Sequence, residues 1–160
     1  MLLTGSFSRA MDEKLRVAIP KRLRAAMQLP EGGALYVAPG TDQSLAVYTE
    51  EAFQRLARRL ADAPPTRQDV RAFVRLFYAR AECVELDGQG RIRIPRDLAE
   101  LAGLGPESNE QNGRKQTVLL AVHDHLELWA ADRWEAYLRE KQDQYDVIAE
   151  TTFGGSNPSD

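Results

Sequence analysis

The chain has 160 residues, of which 43% are hydrophobic and 28% charged, with a net charge of −3 and a single cysteine, Cys83. These values are typical of a globular protein of one domain or two very small ones, and they exclude an internal disulfide and a zinc site built from paired cysteines. Apolar runs fall short of the roughly 20 residues that a membrane helix needs, and the N-terminus lacks a secretory signal pattern, which predicts a cytoplasmic protein.

Charge is unevenly divided between the two halves of the sequence. Residues 1–80 contain 13 Lys and Arg against 8 Asp and Glu, a net charge of +5, whereas residues 81–160 contain 8 against 16, a net charge of −8. A nucleic acid responds to the local field and not to the total charge. The first half can therefore present a basic surface although the chain is acidic.

One short segment occurs twice, 75 residues apart. Residues 12–20 read DEKLRVAIP and residues 87–95 read DGQGRIRIP; we call these the first and second signature segments. The identical positions are Asp12 and Asp87, Arg16 and Arg91, Ile19 and Ile94, and Pro20 and Pro95. Two copies of one pattern in so short a chain are each too small to bury a good core. We therefore expect one shared core with pseudo-twofold symmetry.

A second matching pair of segments shows where the copies differ in length. Residues 45–56 resemble residues 126–137 at an offset of 81, so the second copy contains an insertion of six residues. The polar stretch 105–116, GPESNEQNGRKQ, is the expected position of this insertion. Its composition predicts an exposed loop.

In chain order, each signature segment predicts a β-strand that ends at proline and is followed by a short helix. Apolar residues alternate with Lys14 and Arg16 in the first copy and with Arg91 and Arg93 in the second, which places these cations on the solvent side of the strands. Proline ends a strand and suits the start of a helix. The helix residues with apolar i,i+4 spacing are Leu23 with Met27 and Leu98 with Ala102.

Hairpins and longer helices are predicted after each signature segment. The hairpins pair residues 34–38 with 44–48 and residues 117–122 with 125–129. The longer helices are expected at residues 50–61, 67–80 and 133–149, the second starting from a capping box of Thr66 and Asp69. The last ten residues, 151–160, predict a disordered tail.

The paired D-x-x-x-R motifs, each running through a strand to proline, and the Ala-Glu-Cys lead-in at 81–83 resemble the MraZ transcriptional regulators. That family contains two domains of the SpoVT/AbrB type, and the resemblance covers roughly residues 5 to 150. It implies an α+β fold, a duplicated AbrB-like β-barrel of swapped hairpins with short helices after the signature strands and longer helices after each repeat. The implied divisions are two SpoVT/AbrB-type domains at 5–52 and 81–132, connecting helices at 53–80, a C-terminal helix at 133–150 and the tail.

The same resemblance implies a function. It implies a ring-like homo-oligomer that binds short direct repeats of double-stranded DNA in the promoter of a cell-division and cell-wall gene cluster, usually its own. It implies a cytoplasmic, nucleoid-associated protein without a cofactor, a metal, a membrane partner, a small-molecule substrate or an enzyme activity.

The family's first motif usually reads Asp-x-Lys-Gly-Arg, and here Asp12, Lys14 and Arg16 match while Leu15 replaces the glycine. If that position has a positive φ, the leucine is strained there. The expected DNA-binding residues are Lys14, Arg16, Arg22, Arg24, Arg91 and Arg93. The expected structural residues of the motifs are Asp12, Pro20, Asp87, Gly90 and Pro95. The planar guanidinium of arginine suits the edge of guanine.

Several residues have more than one interpretation. Asp12 and Asp87 could be catalytic or metal carboxylates, but a role as turn residues that hold Arg16 and Arg91 is favoured. Arg91 and Arg93 could contact DNA or serve structure and subunit contacts, because the second half is acidic. Cys83 could be a nucleophile, but buried packing is favoured.

Two further groups of residues also have a simpler explanation. His123 and His125 could bind a metal from one strand face, but a two-residue hairpin turn is favoured because a metal site usually needs a third ligand. The cluster Arg55, Arg58 and Arg59 is favoured as a solvated helix face.

Two other classes of function are compatible with the residues. The first is an oligomeric interaction module, antitoxin-like or an assembly factor, that binds a protein through its acidic second half without reading DNA. The second, weaker one is a small hydrolase that uses His123 and His125. Neither a phosphate-binding loop nor a nucleophile elbow occurs in the sequence.

Overall fold

The computed structural model describes residues 1–105 and 114–154, which form an α+β fold. The strands are β1 (Leu3–Met11), β2 (Arg16–Ala18), β3 (Ala34–Pro39), β4 (Leu45–Thr49), β5 (Glu82–Glu85), β6 (Arg91–Arg93), β7 (Lys115–His123) and β8 (His125–Ala130). The helices are α1 (Lys21–Ala26), α2 (Glu50–Ala61), α3 (Gln68–Arg80), α4 (Arg96–Leu101), α5 (Ala131–Lys141) and α6 (Tyr145–Phe153). None of the helices in these two ranges is both long and apolar enough to cross a membrane.

Six strands form one antiparallel sheet in the order β1-β7-β8-β4-β3-β5. Both predicted hairpins are confirmed as β3–β4 and β7–β8. Strand β1, which the sequence analysis does not predict, pairs along its whole length with β7, from Leu3 opposite His123 to Met11 opposite Lys115. The N-terminal segment therefore completes the sheet of the second repeat, and the two repeats share one sheet.

The two signature segments pair with each other as the antiparallel ribbon β2–β6. Backbone hydrogen bonds extend the ribbon at both ends: the Ile19 N–H donates to the Gly90 carbonyl at 2.9 Å and the Ile94 N–H donates to the Leu15 carbonyl at 2.8 Å. The 75-residue offset makes Ile19 equivalent to Ile94 and Leu15 equivalent to Gly90, so each of the two hydrogen bonds is the counterpart of the other. The ribbon therefore lies on the pseudo-twofold axis that the repeat predicts.

One hydrophobic core joins both repeats, as the sequence analysis expects. Val17 and Ile92 face each other across the ribbon and are each 1% exposed. Leu23 of α1 and Leu98 of α4 are buried in the same cluster, so each short helix covers the core next to its signature strand. The prolines before these helices, Pro20 and Pro95, supply φ values of −51° and −55° at the helix N-caps.

The helices predicted at 50–61 and 67–80 are present as α2 and α3, but the start of α3 and the third predicted helix, 133–149, differ from prediction. Helix α3 follows Arg67, and the expected capping box of Thr66 and Asp69 is wrong because the Asp69 carboxylate instead accepts hydrogen bonds from Arg67 and from the backbone N–H of Val70. The single helix predicted over 133–149 is also wrong. A 3₁₀ turn at Gln142–Gln144 separates α5 from α6.

Three smaller corrections concern exposed segments. The predicted disordered tail is wrong at its start, since Thr151, Thr152 and Phe153 belong to α6; residues 155–160 lie outside the described part. The predicted loop at 105–116 is too long, because residues 115 and 116 already belong to β7. Residues 106–113 of this predicted loop lie outside the described part of the chain. Cys83 is exposed on the edge strand β5, so its expected burial is wrong.

Candidate nucleic-acid interface

Each signature strand follows a tight turn that an aspartate holds. In the first, Asp12 Oδ1 accepts the backbone N–H groups of Lys14 at 3.0 Å and Arg16 at 2.9 Å, while Asp12 Oδ2 accepts the Arg16 Nε–H at 2.7 Å. In the second, Asp87 accepts the N–H of Gln89, the N–H of Arg91 and the Arg91 Nε–H, all at 2.8 to 2.9 Å. The interpretation of both aspartates as turn residues and arginine partners is confirmed.

The fourth residue of each signature segment lies in the left-handed region of φ. Leu15 has a φ of 62° and Gly90 a φ of 74°, so the strain expected at Leu15 is present in this fold. The Leu15 side chain packs against the core, which offsets part of that strain. The two copies thus share one turn geometry although only one has the glycine.

Gly90 has a second reason to be glycine. A Cβ atom at this position would lie 2.6 Å from Arg24 Cζ, because the Arg24 guanidinium packs directly on the turn. The Arg24 Nε–H also donates to the Ile19 carbonyl at 3.0 Å. The Arg24 side chain of the first repeat therefore packs on the turn of the second repeat. At the position equivalent to Arg24, the second repeat has the much smaller Ala99.

The four cations of the signature segments lie around the ribbon. Arg16 and Arg91 are half-buried beside their aspartates, and Arg93 is exposed, with its Nε–H donating to the Lys14 carbonyl at 3.2 Å. Lys14 is exposed but lies in the turn before β2, so its expected place within the strand is wrong. Because Val17 and Ile92 point into the core, Arg16, Arg91 and Arg93 occupy the outward positions of the ribbon.

The two remaining expected cations lie on α1. Arg22 is exposed; it donates from Nη2 to the Thr4 carbonyl at 2.8 Å, and its guanidinium lies 5.0 Å from the centre of the Phe7 ring. Arg24 is half-buried in its contact with Gly90. Arg9 is not among the cations expected from the sequence, and its guanidinium lies 6.0 Å from the centre of the same Phe7 ring. Its position on β1 could have been recognised only by predicting that strand.

Burial and hydrogen bonds change the pKa values of the two turn aspartates, Asp12 and Asp87. Burial is the largest influence on Asp12 and raises its pKa, but hydrogen bonds from the backbone and side chain of Arg16 outweigh it and hold the pKa below the usual 3.8. For Asp87 the largest influence is the hydrogen bond from the Arg91 backbone N–H, and the pKa is again lowered. Both turns are therefore stabilised by carboxylates in the ionised form.

Asp12→Asn is expected to lower the free energy of unfolding at neutral pH, because it removes the ionic contact with Arg16 and keeps an oxygen for the backbone N–H groups. A carboxylate whose pKa is lowered by folding contributes stability above its unfolded pKa and loses it as the pH falls through the folded value. The difference between wild type and variant should therefore shrink below pH 3.8. Urea unfolding from pH 7 to pH 2 measures it, and a constant difference would contradict the assignment. Asp87→Asn should behave alike.

The two histidines lie where the strands β7 and β8 meet at a hairpin turn. His123 ends β7, His125 begins β8, and Val122 pairs with His125, which confirms a two-residue hairpin turn. His125 Nδ1 lies 2.9 Å from Asp124 Oδ1. Within residues 1–105 and 114–154, no group of three or more His, Cys, Asp and Glu side chains is arranged to hold a metal ion.

The arginine cluster of α2 is only partly the solvated face that the sequence predicts. Arg58 and Arg59 are exposed. Arg55 is half-buried, and its Nη1 lies 2.9 Å from Glu51 Oε1 while its Nη2 lies 3.9 Å from Asp124 Oδ2. Arg55 thus connects α2 to the β7–β8 turn.

A known protein family matches this chain twice, once for each repeat. The family described as "MraZ protein, putative antitoxin-like" matches residues 2–76 and, a second time, residues 77–155. The chain belongs to the MraZ family. Its two matches to the MraZ family each contain one signature segment and one turn aspartate.

Individual MraZ proteins are similar over almost the full chain. The protein of Moorella thermoacetica is 36% identical over 149 residues, which cover 93% of this chain and 95% of the relative. That of Lactiplantibacillus plantarum is 37% identical, covering 91% and 94%, and that of Saccharopolyspora erythraea is 33% identical, covering 96% and 99%. All three are named "Transcriptional regulator MraZ".

Proposed function

We propose that this chain is a transcriptional regulator that binds double-stranded DNA sequence-specifically, at short repeats in a promoter, and that the promoter is that of its own cell-division and cell-wall gene cluster. The observation that carries the proposal is the β2–β6 ribbon. It presents Arg16, Arg91 and Arg93 outward beside Lys14, while its inner face anchors it in the core. The names of the relatives support the regulatory role.

A two-stranded ribbon has the right dimensions for this task, because the major groove admits either a helix or a pair of strands. Arg16 uses Nε for its contact with Asp12, so the two outer nitrogens at the end of the guanidinium are not needed for that contact. Such a held guanidinium loses little side-chain freedom when it pairs with a guanine or a phosphate. Arg24 on α1 adds positive charge beside the ribbon, because its guanidinium packs on the turn at Gly90. Arg22 on the same helix is exposed and extends the positive charge toward β1.

The proposal includes a homo-oligomer, in the form of a ring. One ribbon offers few phosphate contacts, and linked subunits on repeated sites gain affinity through effective concentration. Exposed apolar side chains support subunit contacts, since Phe73 and Leu76 of α3 are 52% and 62% exposed. The swapped-hairpin barrel, the division into two SpoVT/AbrB-type domains and a cytoplasmic, nucleoid-associated location belong to the same proposal.

The test is a mobility shift of the purified chain on a duplex from the region upstream of its own gene. We expect tighter binding to that duplex than to one of the same composition with the repeats shuffled. The logarithm of affinity should fall linearly and steeply with the logarithm of salt concentration, because each phosphate contact releases counterions. Equal affinity for both duplexes would contradict sequence-specific binding, and a flat salt dependence would contradict the phosphate contacts.

A second candidate function is an oligomeric interaction module that binds a protein partner and does not read DNA. The acidic second half, with a net charge of −8, and the exposed apolar residues of α3 favour it. Purification of the protein from its native host at low salt distinguishes these two candidate functions. A stoichiometric protein with no retained DNA would favour the module over the regulator.

A further inference from the structure

Helix α6 has an apolar surface that the described part of its own chain leaves open. The helix makes its main contacts with the 3₁₀ turn at Gln142–Gln144, and none of its side chains is buried. Tyr145, Ile148 and Phe153 are 73%, 43% and 89% exposed. A helix of nine residues is marginal in water without tertiary packing, because its few hydrogen bonds hardly offset the cost of nucleation. We therefore expect another surface to cover α6.

Helix α3 has a second open apolar surface. On one side of α3, Phe77 is buried and its ring centre lies 5.9 Å from that of Phe53 on α2. On the other side, Phe73 and Leu76 are more than half exposed. Arg80 follows these two residues by seven and four positions, which places it on the same face of the helix. One face of α3 is therefore anchored to its own repeat, and the opposite face is open.

The two helices have opposite charges. Helix α3 has three arginines against one aspartate, a net charge of +2, whereas α6 has Asp146 and Glu150 without a cation, a net charge of −2. Neighbouring residues keep both signs. Residues 66–82 contain four arginines against two carboxylates, and residues 139–154 contain two cations against four carboxylates. The two helices are therefore complementary in charge as well as in their apolar character.

The positions of the two helices favour a contact between different copies of the chain. Helix α3 packs on β3, whereas α5, which leads into α6, packs on β7 and β8 in the other half of the sheet. Both apolar surfaces remain exposed in the single chain, so its own fold does not bring them together. Each copy has one α3 and one α6, and a head-to-tail contact that uses both gives a ring when its rotation closes.

We propose that α6 of one copy packs on α3 of a second copy. Tyr145, Ile148 and Phe153 lie against Phe73 and Leu76 in this contact, and the carboxylates of α6 lie beside the arginines of α3. The inference rests on the homo-oligomer of the proposed function and assigns the segments that form it. Neither helix contains a proposed DNA-binding residue, so assembly and DNA binding use different residues.

Reversing the charge of each helix tests the contact in the full chain. One variant combines Asp146→Arg with Glu150→Arg and changes the charge of α6 from −2 to +2; the other combines Arg75→Glu with Arg80→Glu and changes that of α3 from +2 to −2. All four side chains are exposed. Each variant alone places like charges opposite each other. We expect the concentration for half-assembly, measured by sedimentation velocity, to rise about tenfold or more.

A mixture of the two variants gives the decisive measurement. The reversed α6 of one variant then meets the reversed α3 of the other, and the two unchanged helices also meet each other. An equimolar mixture should therefore assemble at the wild-type concentration, into oligomers in which the two variants alternate.

Two further variants show whether the effect belongs to this contact. Arg58→Glu with Arg59→Glu, at exposed positions of α2, makes the same charge change as the α3 variant and should assemble as the wild type does. Tyr145→Ser with Ile148→Ser leaves the charges of α6 unchanged and removes apolar surface from a helix without buried side chains. It should also raise the concentration for half-assembly about tenfold.

The outcomes separate this inference from the proposed function. Wild-type assembly of the reversed variants, an equal effect of the α2 control, or a mixture of folded variants that does not assemble would overturn the inference alone. A wild type that remains a monomer would overturn the inference together with the proposed oligomer. A wild-type oligomer that responds to the variants as expected but does not bind DNA would support the inference and overturn the proposed function.

Discussion

Replacing Arg16 with alanine is expected to weaken binding to the promoter duplex about 10- to 100-fold, the range associated with losing one well-placed arginine contact. Two effects act in the same direction. The outer nitrogens of the guanidinium disappear, and Asp12 loses its closest cation. Arg91, whose Nη1 already lies 3.7 Å from Asp12, is then expected to move closer to that carboxylate and away from the proposed DNA contact.

Two matched variants show which part of the Arg16 contact matters. Arg16→Lys keeps the charge but loses the planar fork, so it should keep the salt dependence and lose the preference for the repeat over a shuffled duplex. Arg58→Ala removes the same charge from an exposed position on α2 and should bind as the wild type does. Fluorescence anisotropy at several salt concentrations measures both. Wild-type affinity in Arg16→Ala would refute the assigned site.

Gly90→Ala is expected to lower the free energy of unfolding by about 2 kcal/mol or more. Alanine at a φ of 74° costs roughly 1–2 kcal/mol. The new Cβ would also lie 2.6 Å from Arg24 Cζ and force that side chain off the turn, with loss of its hydrogen bond to the Ile19 carbonyl. Urea or thermal unfolding measures the change.

Gly88→Ala is the matched control for this prediction. Gly88 lies two residues earlier in the same turn, and a Cβ there has no heavy atom within 4 Å among the described residues. Its substitution should therefore change the free energy of unfolding by no more than about 0.5 kcal/mol. Equal losses from both variants would show that flexibility of the turn, and not the Arg24 contact, makes glycine necessary at position 90.

Much of the central architecture could be predicted because it depends on local patterns. Alternation in the signature segments, proline after each one, and turn residues between apolar runs are signals that neighbouring residues carry. The repeat added one piece of long-range information, the equivalence of Ile19 and Ile94 about an axis. The roles of Asp12 and Asp87 followed from the preference of aspartate for turns.

The misses share a different cause, which is that the partner of each segment is distant in sequence. Strand β1 has mostly exposed, polar residues, and only its pairing with β7 more than 100 residues away makes it a strand. Cys83 has an apolar neighbour in the sequence, which favoured the prediction of a buried side chain, but it is exposed because it lies on an edge strand. The break between α5 and α6 occurs where no described side chain of either helix is buried.

By itself, the sequence determined that the chain is duplicated, that each copy contains an aspartate-held turn, a strand and a short helix, and that the basic residues concentrate in the first half. Only the tertiary structure decided that the two signature strands pair with each other and that the Arg24 side chain packs on the turn at Gly90. It also decided that Lys14, Arg16 and Arg93 from both repeats meet at one end of the ribbon. Register between strands 75 residues apart is set by how their apolar faces share one core, and no local pattern contains that information.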